Sequence, residues 1–332
     1  MNIIVTGGAG FIGQNLCERL LEDGHSVMCI DNMSTGSIDA IHNLSNMFIA
    51  ARFCWVAYDV EDSSTELLPH IEEFFHGTVD QIFHLACPAS PAYYQLDPVK
   101  TLMTSVLGTR NILDIGRLTG ATVLFTSTSE IYGDPEPIIQ KEDYRGSVNC
   151  TGPRACYDEG KRAAESLCFD YIRKYNARVK VVRIFNTYGP KMSPTDGRVV
   201  SNFITQALRG EDITIYGNGE QTRSFCYVTD LVEGLVRMMG TDEATVGPIN
   251  LGNSNEITVN TLGKIILGLI KTNSRLSYVP LPVDDPRKRR PDITLAKKEL
   301  DWEPQVDLRS GLRKTIKFFK KNLGSEAVGG FE

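Results

Sequence analysis

The sequence predicts a doubly wound α/β fold, a parallel sheet with helices on both faces. Three observations point to it. A β-branched run, Asn2–Thr6, leads directly into Gly7-Gly8-Ala9-Gly10-Phe11-Ile12-Gly13. A helical period follows, and a second strand closes on Asp31, completing a strand–helix–strand unit of about 30 residues. Beyond it, apolar strand candidates keep alternating with helical stretches as far as residue 186.

In the first unit, Phe11, Ile12, Leu16, Leu20 and Leu21 recur at helical spacing, and Gly24-His25 ends the helix before the strand at 26–30. Further buried strands are expected at 53–57, 81–86, 122–126 and 179–184, with helices over about 98–118 and 157–176. After Asn186 the alternation breaks, and Gly and Pro punctuate shorter elements at 188–190, 217–219, 247–248 and 280–282. That texture predicts a smaller α/β cap over the carboxyl edge of the sheet. Residues 1–187 are assigned to a nucleotide-binding domain, with 228–255 returning to it. The cap takes 188–227 and 256–320, and 321–332 form a mobile tail.

Composition narrows the function classes. The 332 residues carry 35 Lys and Arg against 41 Asp and Glu, a formal charge of −6, with 42% hydrophobic and 23% charged residues. Such a chain buries a core, and its charge gives no support to a nucleic-acid or anionic-membrane partner. Eight cysteines form no C-x-x-C pair and five histidines show no i, i+4 spacing, so no metal centre is expected. The first residues lack a basic leader, and no run approaches the ~20 apolar residues of a membrane helix. A reduced, cytoplasmic setting is expected, in which the sequons at Asn32, Asn43 and Asn149 are chance matches.

Three motifs carry chemistry. Gly7, Gly10 and Gly13 permit a tight turn whose following helix can hold a pyrophosphate on its N-terminal amides. Asp31, at the end of the next strand, can accept hydrogen bonds from ribose hydroxyls. Asn32, Met33 and Ser34 follow it with no arginine for a 2′-phosphate, so the expected cofactor is NAD and not NADP. Asp59-Val60, after the third strand, is expected at the adenine edge. Tyr157 and Lys161 stand four apart on a helix, so an ammonium can sit beside the phenol and lower its pKa from ~10. That would make Tyr157 a general base. Thr128 and Ser129 end a sheet strand beside Glu130, where hydroxyls can meet a sugar or a developing oxyanion.

Together with His84-Leu85-Ala86, these motifs resemble the extended short-chain dehydrogenase/reductases that act on nucleotide sugars, which have a Rossmann-type fold. Longer blocks are similar to the UDP-glucuronate decarboxylases (UDP-xylose synthases) of that family: 88–91, 127–135, 156–162, 183–190, 196–203 and 221–225. The resemblance runs from residue 2 to about 319. Members with an N-terminal membrane anchor differ, since this chain opens on its first strand. The resemblance implies cofactor contacts from Phe11, Ile12, Asn32, Leu85, Ala86 and Thr104 beside the glycines, Asp31, Asp59, Val60, Tyr157 and Lys161. It implies substrate contacts from Pro88, Ser90, Asn186, Arg198, Tyr216 and Arg223, with Arg223 the main partner of the UDP diphosphate.

Arg287-Lys288-Arg289-Arg290-Pro291-Asp292-Ile293 reads on charge alone as a solvated basic turn. In the decarboxylases a matching segment brings an arginine into the active site, and Arg289 holds that position, either to balance the carboxylate or to help protonate carbon 5. The implied reaction oxidises carbon 4 of UDP-glucuronate, releases carbon dioxide from the 4-keto sugar, and lets tightly bound, recycled NADH re-reduce the ketone to UDP-xylose. Ser129-Glu130 replaces the acidic pair of the 4,6-dehydratases, which favours decarboxylation. An oxidative decarboxylase that releases the 4-keto pentose and NADH stays open, and an idle NAD-binding regulator is the reading of a different class. A homodimer pairing through the helices near 98–118 and 157–176 is implied as well.

Overall fold

A computed structural model describes residues 1–134, 139–280 and 289–326. Residues 281–282, the basic residues Arg287 and Lys288, and 327–332 of the expected tail lie outside them. In chain order the first half runs β1 (Asn2–Thr6), α1 (Phe11–Glu22), β2 (Ser26–Asp31), α2 (Ile38–Met47), β3 (Phe53–Ala57), α3 (Ser64–Phe75) and β4 (Gln81–His84). It continues through α4 (Pro91–Tyr94), α5 (Pro98–Met103), α6 (Thr109–Thr119), β5 (Thr122–Thr128), α7 (Ala155–Tyr175) and β6 (Val179–Ile184). The second half starts with β7 (Thr187–Tyr188), α8 (Val199–Arg209), β8 (Ile213–Tyr216), β9 (Thr222–Ser224), β10 (Cys226–Tyr227) and α9 (Val228–Met239). After β11 (Ile249–Leu251) come β12 (Glu256–Thr258), α10 (Val259–Ile270), β13 (Leu276–Val279), α11 (Thr294–Leu300) and α12 (Leu308–Glu326).

Seven strands form one sheet in the order β11-β6-β5-β4-β1-β2-β3, with every pairing parallel. Parallel strands covered on both faces must be apolar along their length. Ile3, Ile4 and Val5 of β1 and Val27, Met28 and Cys29 of β2 are accordingly fully buried. One core lies on the α1, α9 and α11 face and a second on the α3, α6 and α7 face. A third, around Phe203, Ile204, Leu262 and Phe319, belongs to the cap. All eight cysteines are free thiols. Among the described residues, no helix is long and apolar enough to cross a membrane.

Several boundaries differ from the sequence reading: β4 ends at His84, two residues short of the expected strand, and α7 runs Ala155–Tyr175 where 157–176 was expected. Ser127 and Thr128 pair with Arg183 and Ile184, so β5 runs two residues further than expected. The helix expected over 98–118 is interrupted by a π-helical turn at Thr104–Gly108, where Gly108 packs on Val60 so closely that a Cβ would fall 2.6 Å from its Cγ2. Ile293, Ala296, Leu300 and Trp302 were placed in the cap but pack in the α1/α9 core, because Trp302 Nε1 donates to the Asp230 carbonyl at 2.8 Å. Residues 321–326 of the expected tail continue α12 as helix.

A buried polar hub ties the halves together. Arg183 on β6 makes two hydrogen bonds to Glu165 on α7, at 3.0 and 2.9 Å, and a third to the Tyr132 hydroxyl at 2.9 Å. That hydroxyl donates to Asn250 of β11 at 2.7 Å, and the Asn250 amide donates to the carbonyls of Gln140 and Asp292. Arg183→Met should cost about 3–5 kcal/mol, since it strands the Glu165 charge in the interior. Chemical denaturation against the unsubstituted protein measures this.

Candidate active site

The carboxyl ends of β1, β2, β4, β5 and β6 open into a single cleft of 1470 Å³, roofed by the cap. Ligands of open α/β sheets bind at this edge. The cleft exceeds the roughly 300–1,000 Å³ of an ordinary small-ligand site, leaving room for two molecules. Every expected site residue except Asp59 lines it.

At the β1 end, Gly7 takes φ +69°, and Gly13 lies so near the turn that a Cβ there would fall 2.1 Å from the Gly7 carbonyl oxygen. No side chain caps α1, and its first turn holds no acid, so its N-terminal amides face the cleft without a competing anion. Asp31 accepts from the Ala9 and Met33 amides at 3.0 and 2.8 Å, tying the glycine loop to the end of β2. Burial raises its carboxyl, and those two amides oppose the rise. A dinucleotide fits this cradle: glycines where a Cβ would intrude, free amides for a pyrophosphate, and a carboxylate for the ribose.

Asp59 is the exception. Its carboxylate accepts from Asn32 Nδ2 at 2.9 Å and pairs with Lys100 Nζ at 2.8 Å. Lys100 also reaches Glu61, which accepts from the Thr104 hydroxyl. Asp59 therefore braces two residues that line the cleft, and the ion pair keeps its own charge out of it. His84 bridges the Thr6 and Thr109 hydroxyls at 2.7 and 3.1 Å. Burial, then the Lys161 charge, lowers it to about 3, so it is a neutral strut between β1 and α6.

The expected catalytic residues come together where β5 meets α7. Tyr157 is buried and stacks face to face on Tyr94, with ring centroids 5.1 Å apart and planes within 2°. Lys161, one turn along, donates to the Thr126 carbonyl at 2.9 Å and lies 4.8 Å from the Phe125 ring centroid. This differs from the expected phenol–ammonium pair. Burial raises the Tyr157 phenol, against a hydrogen bond from Thr128 and the Arg198 charge. Burial likewise lowers Lys161. The protein alone does not produce the depressed phenol expected from spacing.

Glu130 follows Thr128 on a 3-10 turn, and the Thr128 hydroxyl accepts the Glu130 amide at 3.2 Å. Arg289 holds both carboxylate oxygens of Glu130, and Arg154 Nη2 donates to one of them at 2.6 Å. Burial alone would raise Glu130, but Arg289 and then Arg154 outweigh it, so the carboxyl sits below its ordinary value. On the cap side, Arg198 is paired with Asp196 at 2.6 and 2.8 Å, and the Ser90 hydroxyl donates to the Asp196 carbonyl. Those two latch the α4 region to the cap. Arg223 is buried on β9, while Tyr216 is 46% exposed at the rim.

Sequence reading missed Tyr94, Lys100, Arg154 and Asp158. Only Arg154, three residues before Tyr157, and Asp158, inside the Tyr157–Lys161 motif, gave a signal that could have found them.

Residues 3–252 match the family described as NAD dependent epimerase/dehydratase. The chain is 48% identical over 329 residues to UDP-glucuronic acid decarboxylase 1 of Arabidopsis thaliana, covering 99% of this chain and 72% of that protein. It is 50% identical over 325 residues to UDP-glucuronic acid decarboxylase 6 of the same plant, covering 98% and 90%. Among solved structures it is similar to UDP-glucose 4-epimerase from Thermotoga maritima with UDP-glucose: TM-score 0.86, 30% identity, 97% of this chain and 100% of that one. UDP-glucuronic acid 4-epimerase from Bacillus cereus, in complex with UDP-glucuronic acid and NAD, gives TM-score 0.85 at 25% identity, covering 97% and 100%.

Gly13→Ala should weaken NAD binding at least tenfold, because the added methyl meets the Gly7 carbonyl. Nucleotide titration followed by protein fluorescence reads this, and an unchanged unfolding curve separates it from loss of fold.

Proposed function

The chain belongs to the NAD dependent epimerase/dehydratase family, and on that footing we propose that it converts UDP-glucuronate to UDP-xylose and carbon dioxide. The observation that carries the reading is Arg289, brought from the far end of the chain onto Glu130 beside Tyr157 and Thr128. A cationic side chain at that point suits a sugar whose carbon 5 bears a carboxylate.

Tyr157, through its phenol oxygen, removes the proton of the carbon-4 hydroxyl, and the Thr128 hydroxyl orients it. Held by the glycine loop and Asp31, NAD would supply hydride acceptance from carbon 4 and its return, and a positive charge that favours ionisation of the buried Tyr157 phenol. Lys161 is fixed beside this exchange by the Thr126 carbonyl. Once carbon 4 is a ketone, the carbon-5 carboxylate is that of a β-keto acid. The bond to the carboxyl carbon breaks, and its electron pair moves into an enolate whose oxygen accepts hydrogen bonds from Thr128 and Tyr157. Arg289 balances the carboxylate before it leaves. A proton then reaches carbon 5, and Tyr157 gives its proton back to the carbon-4 oxygen.

Hydride leaves and returns within one turnover, so the reading includes a cofactor that stays tightly bound and is recycled. Arg223 and Tyr216 hold the UDP from the cap, and Asn186 faces the sugar. The eight free thiols support a reducing, cytoplasmic setting. Val99 on α5 and Leu118 on α6 are 70% and 54% exposed, which supports a homodimer pairing across these helices.

The test is incubation of the purified protein with UDP-glucuronate, without added NAD, followed by mass spectrometry. A UDP-pentose with no accumulating NADH is expected. A UDP-4-keto pentose formed only with added NAD would establish the oxidative reaction instead. Tyr157→Phe should lower turnover by about 10²–10⁴-fold with NAD still bound. Arg223→Ala should weaken UDP-sugar binding more than NAD binding, measured by parallel titrations.

A further inference from the structure

Three buried polar atoms without a hydrogen-bond partner gather in one place among the described residues: Tyr94 Oη, Arg154 Nε and Asp158 Oδ1. Arg154 and Asp158 are one helical turn apart at the start of α7, and Tyr94 ends α4. Natural proteins seldom leave such atoms unpaired without a functional reason. Asp158 is buried, follows Tyr157 directly and does not line the cleft. The charged groups acting on it are Glu130 from the 3-10 turn, Arg154 and Glu159 from its own helix, and Arg289 from the segment before α11. The Tyr94 hydroxyl interacts with Arg154, Glu130 and Arg289 of that set and with Asp158 itself.

Decarboxylation consumes a proton. The bond from carbon 5 to the carboxyl carbon breaks, its electron pair stays with the sugar as an enolate, and a new C–H bond at carbon 5 takes one proton for each carbon dioxide released. Tyr157 does not supply it, because its proton returns to the carbon-4 oxygen. We propose that Asp158 takes this proton from solvent when the substrate carboxylate binds, and yields it through Glu130 to carbon 5 as carbon dioxide leaves.

The charges time the exchange. Burial, with the Glu130 charge, raises Asp158 to about 7 against the pull of Arg154 and Arg289. A second carboxylate arriving at Arg289 draws on the cation that now holds Glu130, which favours protonation of Asp158 further. When that carboxylate departs as neutral carbon dioxide, its negative charge passes from beside Arg289 into the enolate, and protonation of carbon 5 by the proton held at Asp158 neutralises it. Glu130, which lines the cleft and interacts with Asp158, is the group that can pass it on. Asp158 acts through Glu130 and is a positioning residue for the proton.

This inference rests on the functional reading above, and one experiment separates the two. In NAD-loaded Tyr157→Phe, where turnover is blocked, calorimetric titration at pH 7.5 in buffers of different ionisation enthalpy counts protons taken up on binding. UDP-glucuronate should bind with uptake of roughly half a proton or more. UDP-xylose, which lacks the carboxylate, should bind with almost none. Adding Asp158→Asn should abolish the uptake with UDP-glucuronate, and should remove the fall in its affinity between pH 7 and 9, while UDP-xylose binding stays within about twofold and reports an intact fold. Binding of UDP-glucuronate without uptake, or uptake that survives Asp158→Asn, overturns the role of Asp158 and leaves the decarboxylase reading standing. Failure of UDP-glucuronate to bind overturns both.

Discussion

A carboxylate buried at Glu130 would be costly without partners, and its two partners come from places far apart in the chain. Arg154 stands at the entrance of α7, and Arg289 arrives from the segment just before α11. Satisfying that one charge draws together the carboxyl end of β5, the helix carrying Tyr157 and the strap that bears Arg289. The geometry around the reacting carbons follows from it. Glu130 is favoured as the carboxylate while Arg289 and Arg154 hold it, and the Thr128 hydroxyl accepts the amide of the same turn.

Arg289 can keep this post because its backbone is held independently of its side chain. The Gln140 amide and side chain meet the backbone of Arg290, at 2.9 and 2.6 Å, and Asp292 N donates to the Gln140 carbonyl at 2.8 Å. Asn250 reads the Asp292 carbonyl, Ser254 the Pro291 carbonyl and Ser224 the Arg289 carbonyl. Through Asn250 the strap joins the Arg183 hub, so the site and the sheet share one buried polar network. Such networks specify a single arrangement when every member is satisfied.

Most of the parallel sheet was legible because its strands are buried on both faces and read as plain apolar runs; β3 and β6 fall where expected. The glycine turn and Asp31 were legible for a different reason, since each is required by local backbone geometry or strand position. What sequence could not convey were choices between competing partners. Asp59 has the strand-end position of a cofactor contact, yet Lys100 takes its charge. Lys161 has helical spacing to Tyr157, yet a carbonyl at the end of β5 takes its ammonium. Ser90 and Arg198 bind the same aspartate, Asp196, and so secure the cap. The placement of Ile293 to Trp302 depended on one indole hydrogen bond, which no periodicity announces.

The strap that carries Arg289 has a further consequence, for descent rather than chemistry. Much of its hold on the rest of the protein runs through main-chain carbonyls and amides, beside the Arg290–Glu256 ion pair and the buried Ile293 side chain. Among the described residues, Glu130 is the one that forms an ion pair with the side chain at 289. A mutation there would leave Glu130 to Arg154 alone but keep the main-chain ties of the strap, so a duplicated copy of this chain could explore new reactions one codon at a time. Position 183 offers no such freedom, because its guanidinium is itself a structural member. Divergence within such a lineage should therefore concentrate on side chains hung from well-anchored main chain.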